Sequence, residues 1–209
     1  MTQKLADLLK STGIKNPTVL EAMAEINRAD FLPQDIQALS EANQPLAIGR
    51  GQTCSQPYIV ARMTELLLNG KRSLNKVLEV GTGSGYQAAV LSKFVNQVET
   101  VERIKSLYES AKLCFKKLGI ENVYCHYGDG YAGWPPEAPY DAIIVTAAAP
   151  ELPKALVTQL SQKNGRLIIP VGESAQVQSL EIVDKHGSEL TYTHDEAVIF
   201  VPMLTGIKE

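Results

Sequence analysis

Val77-Leu-Glu-Val-Gly-Thr-Gly-Ser-Gly-Tyr86 decides the fold. The run Lys76 to Val80 is short, apolar and bounded by glycine, which reads as a buried strand, and Tyr86 to Phe94 beyond it carries helical spacing. A strand ending in Gly81-x-Gly83-x-Gly85 directly before a helix puts backbone without side chains at the carboxyl edge of a sheet, where α/β folds bind ligands. A nucleotide-like cofactor follows. A dinucleotide fingerprint requires a third glycine where Tyr86 stands, so a nicotinamide cofactor is disfavoured. Glu102 lies 21 residues beyond Gly81, near the ~20 expected for an acidic residue that takes ribose hydroxyls. Glu99 flanks the same segment, and period-two alternation favours Glu102 as the strand-end residue.

Outward from this stretch, extended and helical segments alternate. Gln97 to Glu102 reads as extended, Ile104 to Leu118 as helical, Asn122 to Tyr127 as extended, Asp141 to Thr146 as extended, Pro150 to Leu160 as helical and Arg166 to Val171 as extended. The pattern predicts a doubly wound, mostly parallel sheet covered on both faces. Ser179 to Asp184 and Leu190 to Val201 have no helix between them and predict an antiparallel pair turned at Lys185-His186-Gly187. Before residue 75 the spacing of Leu5, Leu8 and Leu9, then of Val19, Leu20, Met23 and Ile26, is helical, with Pro17 suited to a first turn. Ile48-Gly-Arg-Gly-Gln-Thr-Cys-Ser-Gln-Pro57 reads as a polar loop, and Tyr58 to Leu68 as a helix. The division expected is a helical extension with an active-site loop, 1–75, and a core, 76–209, in one compact unit.

At 209 residues, 44% hydrophobic and 21% charged, the chain has the make-up of a folded domain. Its longest uncharged run, Val80 to Ser92, is 13 residues, short of the ~18 to 20 a spanning helix needs, and no membrane association is expected. Lys4, Asp7 and Lys10 interrupt the amino terminus, which argues against a signal peptide and for the cytoplasm. Cys54, Cys114 and Cys125 have neither disulfide nor zinc spacing, so no metal is expected. A formal charge of −3 with no basic run argues against nucleic acid.

Gly128-Asp129-Gly130 follows the strand Val123 to His126, and Asp129 there is placed to accept from an adenine amino group, although an ordinary Asp-Gly turn has the same look. With the glycine loop and Glu102, these features look like the motifs of class I methyltransferases, in which S-adenosylmethionine lies across the strand ends. The resemblance then becomes specific. The sequence resembles the protein-L-isoaspartate (D-aspartate) O-methyltransferase family over nearly the whole chain. It does so through Asn27-Arg-Ala-Asp-Phe-Leu-Pro33, Ile48 to Pro57, Val77 to Tyr86, Val101-Glu-Arg103, Gly128-Asp-Gly130, Pro139-Tyr-Asp-Ala-Ile-Ile-Val-Thr-Ala-Ala-Ala-Pro150, Ile169-Pro-Val-Gly172 and Phe200-Val-Pro202. The Gly-Gln-Thr-x-Ser-x-Pro loop, Gly51 to Pro57, belongs closely to this family. Cys54 stands where the family has isoleucine, Ala47 where it has proline, and Asn43 near an acidic position.

The resemblance implies methyl transfer from S-adenosylmethionine to the free α-carboxylate of isoaspartyl polypeptides, by a monomer that leaves S-adenosylhomocysteine; the ester then closes to a succinimide. A carboxylate with pKa ~4 is already ionised near pH 7, so the reaction needs no general base. The resemblance places cofactor contacts at Gly81, Thr82, Gly83, Ser84, Gly85, Glu102, Asp129 and Gly130, with Gln52 and Thr53 closing that site. Backbone groups along Ile48 to Cys54, with Ile48, Gly49 and Cys54 among them, are candidates to bind the substrate peptide in extended form beside Ser55. Ser55 matches the family's active-site serine, which would orient the carboxylate; it also suits the N-cap of the helix that follows, and the two roles are compatible. Cys54 reads as a packing residue. Arg50, Gln176 and Gln178 are weaker peptide or cofactor candidates, and Asp141 is a candidate to touch the loop after Gly81. A nucleic-acid adenine methyltransferase would carry an Asn/Asp-Pro-Pro-aromatic motif where Thr146-Ala-Ala-Ala-Pro150 stands, and a small-molecule carboxyl methyltransferase would leave the Gly51 to Pro57 loop unexplained. A cofactor-binding module without activity is the alternative from another class.

Overall fold

The computed structural model describes residues 1–70, 74–173 and 176–209. Its first helices start where their capping residues dictate. Helix α1 (Gln3–Ser11) opens on Thr2, whose hydroxyl accepts from the N–H of Leu5, and α2 (Pro17–Glu25) opens on Asn16, whose side chain accepts from the N–H of Thr18. Proline at the first position of α2 fits a site where no N–H is required. Two 3-10 turns, Arg28–Phe31 and Gln34–Leu39, lead to a hairpin of β1 (Leu46–Gly49) and β2 (Gln52–Cys54), where the sequence pattern suggested a loop. Arg50 (φ 56°) and Gly51 (φ 74°) are both left-handed, as a two-residue hairpin turn of this hand requires. An arginine is no turn signal, which is why the pairing escapes a sequence reading. Helix α3 (Pro57–Leu68) follows.

Strands and helices then alternate as β3 (Lys76–Val80), α4 (Tyr86–Leu91), β4 (Gln97–Glu102), α5 (Lys105–Leu118), β5 (Val123–Tyr127), β6 (Ala142–Val145), α6 (Lys154–Gln159) and β7 (Lys163–Val171), before β8 (Gln178–His186) and β9 (Glu189–Val198). They form a seven-stranded sheet in the order β5-β4-β3-β6-β7-β8-β9. Pairing is parallel from β5 to β7 and antiparallel for β7-β8 and β8-β9. This is the doubly wound sheet with a carboxyl-terminal antiparallel pair that the alternation predicts. Some boundaries move. Helix α6 starts at Lys154 because Pro153 occupies its N-cap, not at Pro150. The β8-β9 turn overlaps the expected Lys185-His186-Gly187 only at its last residue: Lys185 and His186 still pair with Leu190 and Glu189, and Gly187 (φ 61°) with Ser188 makes the reversal.

Burial on both faces explains the continuous apolar strands. Along β6, Ala142 and Ile144 enter one core cluster while Ile143 and Val145 enter the other. The first cluster also holds Leu5 and Leu9 of α1, Val19 and Met23 of α2, and Val60, Met63 and Leu67 of α3. The amino-terminal helices are thus packed onto the same sheet face as Val77 and Val98, which brings the β1-β2 hairpin to the carboxyl ends of the central strands. Among the described residues, no helix is long and apolar enough to cross a membrane.

Candidate active site

The carboxyl ends of β3, β4 and β6 finish level, because Val80 pairs with both Val101 and Val145. A cavity opens above them. Its floor is Gly81 to Ser84 with Glu102, Gly130 and Thr146; Gln52 to Ser55 wall one side and Val201 to Leu204 another. Two of the glycines are sterically obligatory. At Gly81 (φ 100°) an added Cβ would lie 2.5 Å from Oγ1 of Thr146, and at Gly85 (φ 91°) it would lie 2.6 Å from Cζ of Phe115. The Thr146 hydroxyl is fixed there by donating to the carbonyls of Gly81 (2.7 Å) and Val80 (3.1 Å).

Glu102 stands where the spacing places it, buried at the end of β4. One carboxylate oxygen accepts the N–H of Gly83 (2.8 Å) and the other the N–H of Ile104 (2.8 Å). Burial pushes its pKa up, opposed by these backbone donors. Glu99 points to the opposite sheet face, bonded to Nε2 of His126, whose ring stacks on Trp134 at 3.9 Å. The two glutamates three residues apart are therefore separated by the pleat, and only Glu102 reaches the cavity. A further acid, Glu79, was not singled out by the sequence pattern. It is fully buried in the cavity wall, accepts from the hydroxyl of Thr100, which in turn bonds Thr82, and has no partner for Oε1 among the described residues. Burial pushes its carboxyl up to about 8.

Ser55 faces the cavity, and its hydroxyl has no hydrogen-bond partner among the described residues. Its capping role is not realised: Gln56 is the N-cap of α3, and the N–H of Tyr58 is capped instead by Oδ1 of Asn43 at 3.0 Å. Thr53 and Cys54 line the same wall, Cys54 being almost wholly buried with the core. Ile48 and Gly49 stand back from the wall, with Ile48 against Gly83. At the end of β5, Gly130 lines the cavity, whereas the carboxylate of Asp129 accepts the N–H groups of Tyr131 (2.9 Å) and Gly206 (2.7 Å). Three weaker candidates lie elsewhere. Asp141 sits at the other end of the sheet, holding the N–H groups of Asn75 and Lys76; Arg50 is exposed at the hairpin tip; Gln178 joins the carbonyls of Glu173 and Gln176 to the N–H of Phe200. Thr146 and the Val201 to Leu204 wall were missed as site residues, though both lie in or beside stretches that carry the family resemblance.

A parallel sheet with a glycine turn after its central strand, an acid ending the next and a cavity over both is the architecture of class I methyltransferases. A model of the protein-L-isoaspartate(D-aspartate) O-methyltransferase family (PCMT) matches residues 1–208. A Shewanella pealeana protein-L-isoaspartate O-methyltransferase is 52% identical over 202 residues, which is 97% of this chain and 93% of that one. That of Colwellia psychrerythraea is 48% identical over 202 residues, covering 97% and 92%. A solved protein-L-isoaspartate O-methyltransferase superposes with TM-score 0.86 at 32% identity, covering 97% of this chain and 65% of that one, so the present chain spans just under two thirds of that longer relative. A Plasmodium falciparum chain, described as a protein-L-isoaspartate O-methyltransferase and solved with S-adenosyl-L-homocysteine, has TM-score 0.81 at 27% identity, covering 96% and 97%. The chain belongs to the protein-L-isoaspartate(D-aspartate) O-methyltransferase family.

Glu79 gives this site a measurable pH signature. Between the ordinary carboxyl value of 4.5 and its folded value of about 8, the native state keeps a proton that the unfolded chain has lost. Its contribution to stability is complete below 4.5 and declines as pH rises to about 8, by up to ~1.4 kcal/mol per pH unit, then levels off. Glu79→Gln lacks that proton exchange. Urea unfolding of both proteins at acid, neutral and alkaline pH is expected to show the wild type losing stability relative to the variant across this window; parallel profiles would refute the raised carboxyl.

Proposed function

We propose that this chain transfers a methyl group from S-adenosylmethionine to the free α-carboxylate of L-isoaspartyl residues in damaged proteins and peptides, the step that initiates their repair. The observation that carries this reading is that the glycine loop and the unpartnered Ser55 hydroxyl face one cavity. The residues fit the cofactor. Gly81 and Gly83 admit it against bare backbone, with Gly85, Thr82 and Ser84 shaping the turn, and each oxygen of Glu102 retains a lone pair for a ribose hydroxyl. Gly130 and Asp129 take the adenine end, Asp129 through lone pairs that its two backbone donors leave free. Gln52 and Thr53 close the site over the cofactor, while Ile48, Gly49, Cys54 and Ser55 form the peptide side.

When bound, S-adenosylmethionine supplies a methyl group on a cationic sulfur, with a neutral thioether as leaving group. The protein needs neither base nor nucleophile of its own. Ser55 donates to one oxygen of the substrate carboxylate and fixes the direction from which the other approaches. Such alignment is worth up to ~7 to 11 kcal/mol in ideal intramolecular systems. The ester closes to a succinimide without further help, and partial reopening to aspartate completes the repair. We assign polypeptide rather than nucleic acid as substrate, since the one cation of the described cavity wall, Arg103, is tied to the carbonyls of Thr205 and Gly206 and offers no track for phosphates. We assign a monomer, acting in the cytoplasm, where three free cysteines remain reduced.

A time course of methyl transfer to an isoaspartyl peptide and its aspartyl twin tests the reading. Transfer to the first alone is expected; transfer to neither leaves a binding module, and equal transfer removes the assigned specificity. Ser55→Ala is expected to lower turnover by about 10- to 100-fold, the worth of a hydrogen bond to a charged group, with cofactor affinity unchanged; full turnover would strip Ser55 of its role. Glu102→Ala is expected to weaken S-adenosylmethionine binding by ~1 to 3 kcal/mol in calorimetric titration, and unaltered affinity would move the ribose contact elsewhere.

A further inference from the structure

Arg28, in the first 3-10 turn, is only 4% exposed, and all of its hydrogen bonds among the described residues go to backbone carbonyls. Nη1 donates to the carbonyls of Ser40 (3.1 Å) and Ala42 (3.0 Å), and Nη2 to those of Gln44 (2.9 Å), Cys54 (3.3 Å) and Ser55 (2.9 Å). Its Cζ lies 6.0 Å from the ring centroid of Tyr86, and its Nε is buried without a partner among the described residues. A guanidinium withdrawn from water without a carboxylate at its donors is costly, and tying loops together could be done by a neutral amide at less cost. The choice of carbonyls is informative. Those of Cys54 and Ser55 belong to the two peptide planes that meet at the Ser55 α-carbon, and a planar peptide whose carbonyl is fixed leaves that α-carbon little freedom.

We propose that Arg28 is the positioning residue of this site: by pinning both peptide planes around Ser55 it sets the direction of the Ser55 hydroxyl toward the carboxylate. The inference rests on the role given to Ser55 above. The same planar fork also grips the carbonyls of Ala42 and Gln44, the residues on either side of Asn43. The carbonyl of Asn43 accepts from Nε2 of Gln56, and its side chain caps Tyr58, so the segment 54–58 is held from both flanks by one cation and its dependents. An ammonium cannot replace the planar fork, since its donors diverge from one point and cannot reach five carbonyls on two chain segments.

The test uses the full chain with Arg28→Lys, Arg28→Met, Ser55→Ala and the Arg28→Lys/Ser55→Ala pair. Arg28→Lys is expected to reduce kcat for the isoaspartyl peptide by about tenfold or more, with peptide KM and S-adenosylhomocysteine affinity within about threefold of wild type. Because Arg28 acts through Ser55, the double variant is expected to be no slower than Ser55→Ala by more than about twofold. Unchanged kcat in Arg28→Lys, losses that multiply in the pair, or cofactor affinity falling in step with kcat would each overturn the proposal. If Arg28→Met does not fold, Arg28→Lys decides; if neither binds S-adenosylhomocysteine, the role is structural alone and the proposal falls. A wild type that leaves the isoaspartyl peptide unmethylated takes the functional reading down as well, whereas an active wild type beside a fully active Arg28→Lys refutes only this inference.

Discussion

The contact between Thr146 and Gly81 is the constraint from which the site is built. The threonine hydroxyl, held by the carbonyls of Val80 and Gly81, occupies the space a side chain at Gly81 would need. With the backbone there at φ 100°, a conformation other residues rarely adopt, glycine is the residue that fits the turn at the end of β3. Within the turn the N–H groups of Gly81 and Thr82 close onto the carbonyl of Val101, that of Gly85 onto the carbonyl of Thr82, and that of Gly83 onto Glu102. Parallel register does the rest: β3, β4 and β6 end at the same level, so a threonine, a glycine loop and an acid from three separate stretches meet. Moving one strand by a residue would turn Glu102 to the opposite sheet face, where Glu99 meets His126.

How far the sequence could be read followed from whether a feature expresses itself locally. Alternation of apolar runs is local, and it revealed the sheet and its antiparallel tail. The glycine spacing and the distance to Glu102 are local too, and both lie at the cavity. What escaped was tertiary. The β1-β2 hairpin turns on a left-handed arginine that no turn rule anticipates. The cap of α3 comes from Asn43, far back along the chain, so local rules pointed to Ser55 instead. The bond from distant Gly206 to Asp129 is likewise tertiary, beside the local one from Tyr131. Asn43 also answers one departure from the family pattern, since its amide oxygen supplies the acceptor that an acidic side chain would offer Tyr58.

Arg28 illustrates why a positioning residue is hard to see. Its partners are main-chain carbonyls, which every residue possesses, so the surrounding side chains carry no trace of the interaction. Sequence offers only the arginine itself, inside Asn27-Arg-Ala-Asp-Phe-Leu-Pro33. The fold supplies the reason for its place. Helices α1 to α3 share a core cluster with the sheet, which fixes the 3-10 turn beneath the hairpin and sets the guanidinium behind Cys54 and Ser55.

The charges around the cavity suit the proposed chemistry. Methyl transfer from a sulfonium to a carboxylate joins a cation and an anion and leaves an ester and a thioether, so charge disappears along the path. Water stabilises the separated ions more than the transition state, and surroundings poor in water remove that bias. The described wall meets the requirement by restraint: burial favours the neutral form of Glu79, Arg103 is tied to carbonyls, and Arg28 is screened behind the loop it holds. Glu102 is the remaining charged wall residue, committed to the N–H groups of Gly83 and Ile104 at the ribose side. A free lysine or arginine facing Ser55 would bind the substrate carboxylate tightly, but it would stabilise the anion in the ground state and lose that interaction as the charge vanished. A neutral hydroxyl orients the same carboxylate at a smaller cost to its reactivity, which is why serine suits that position.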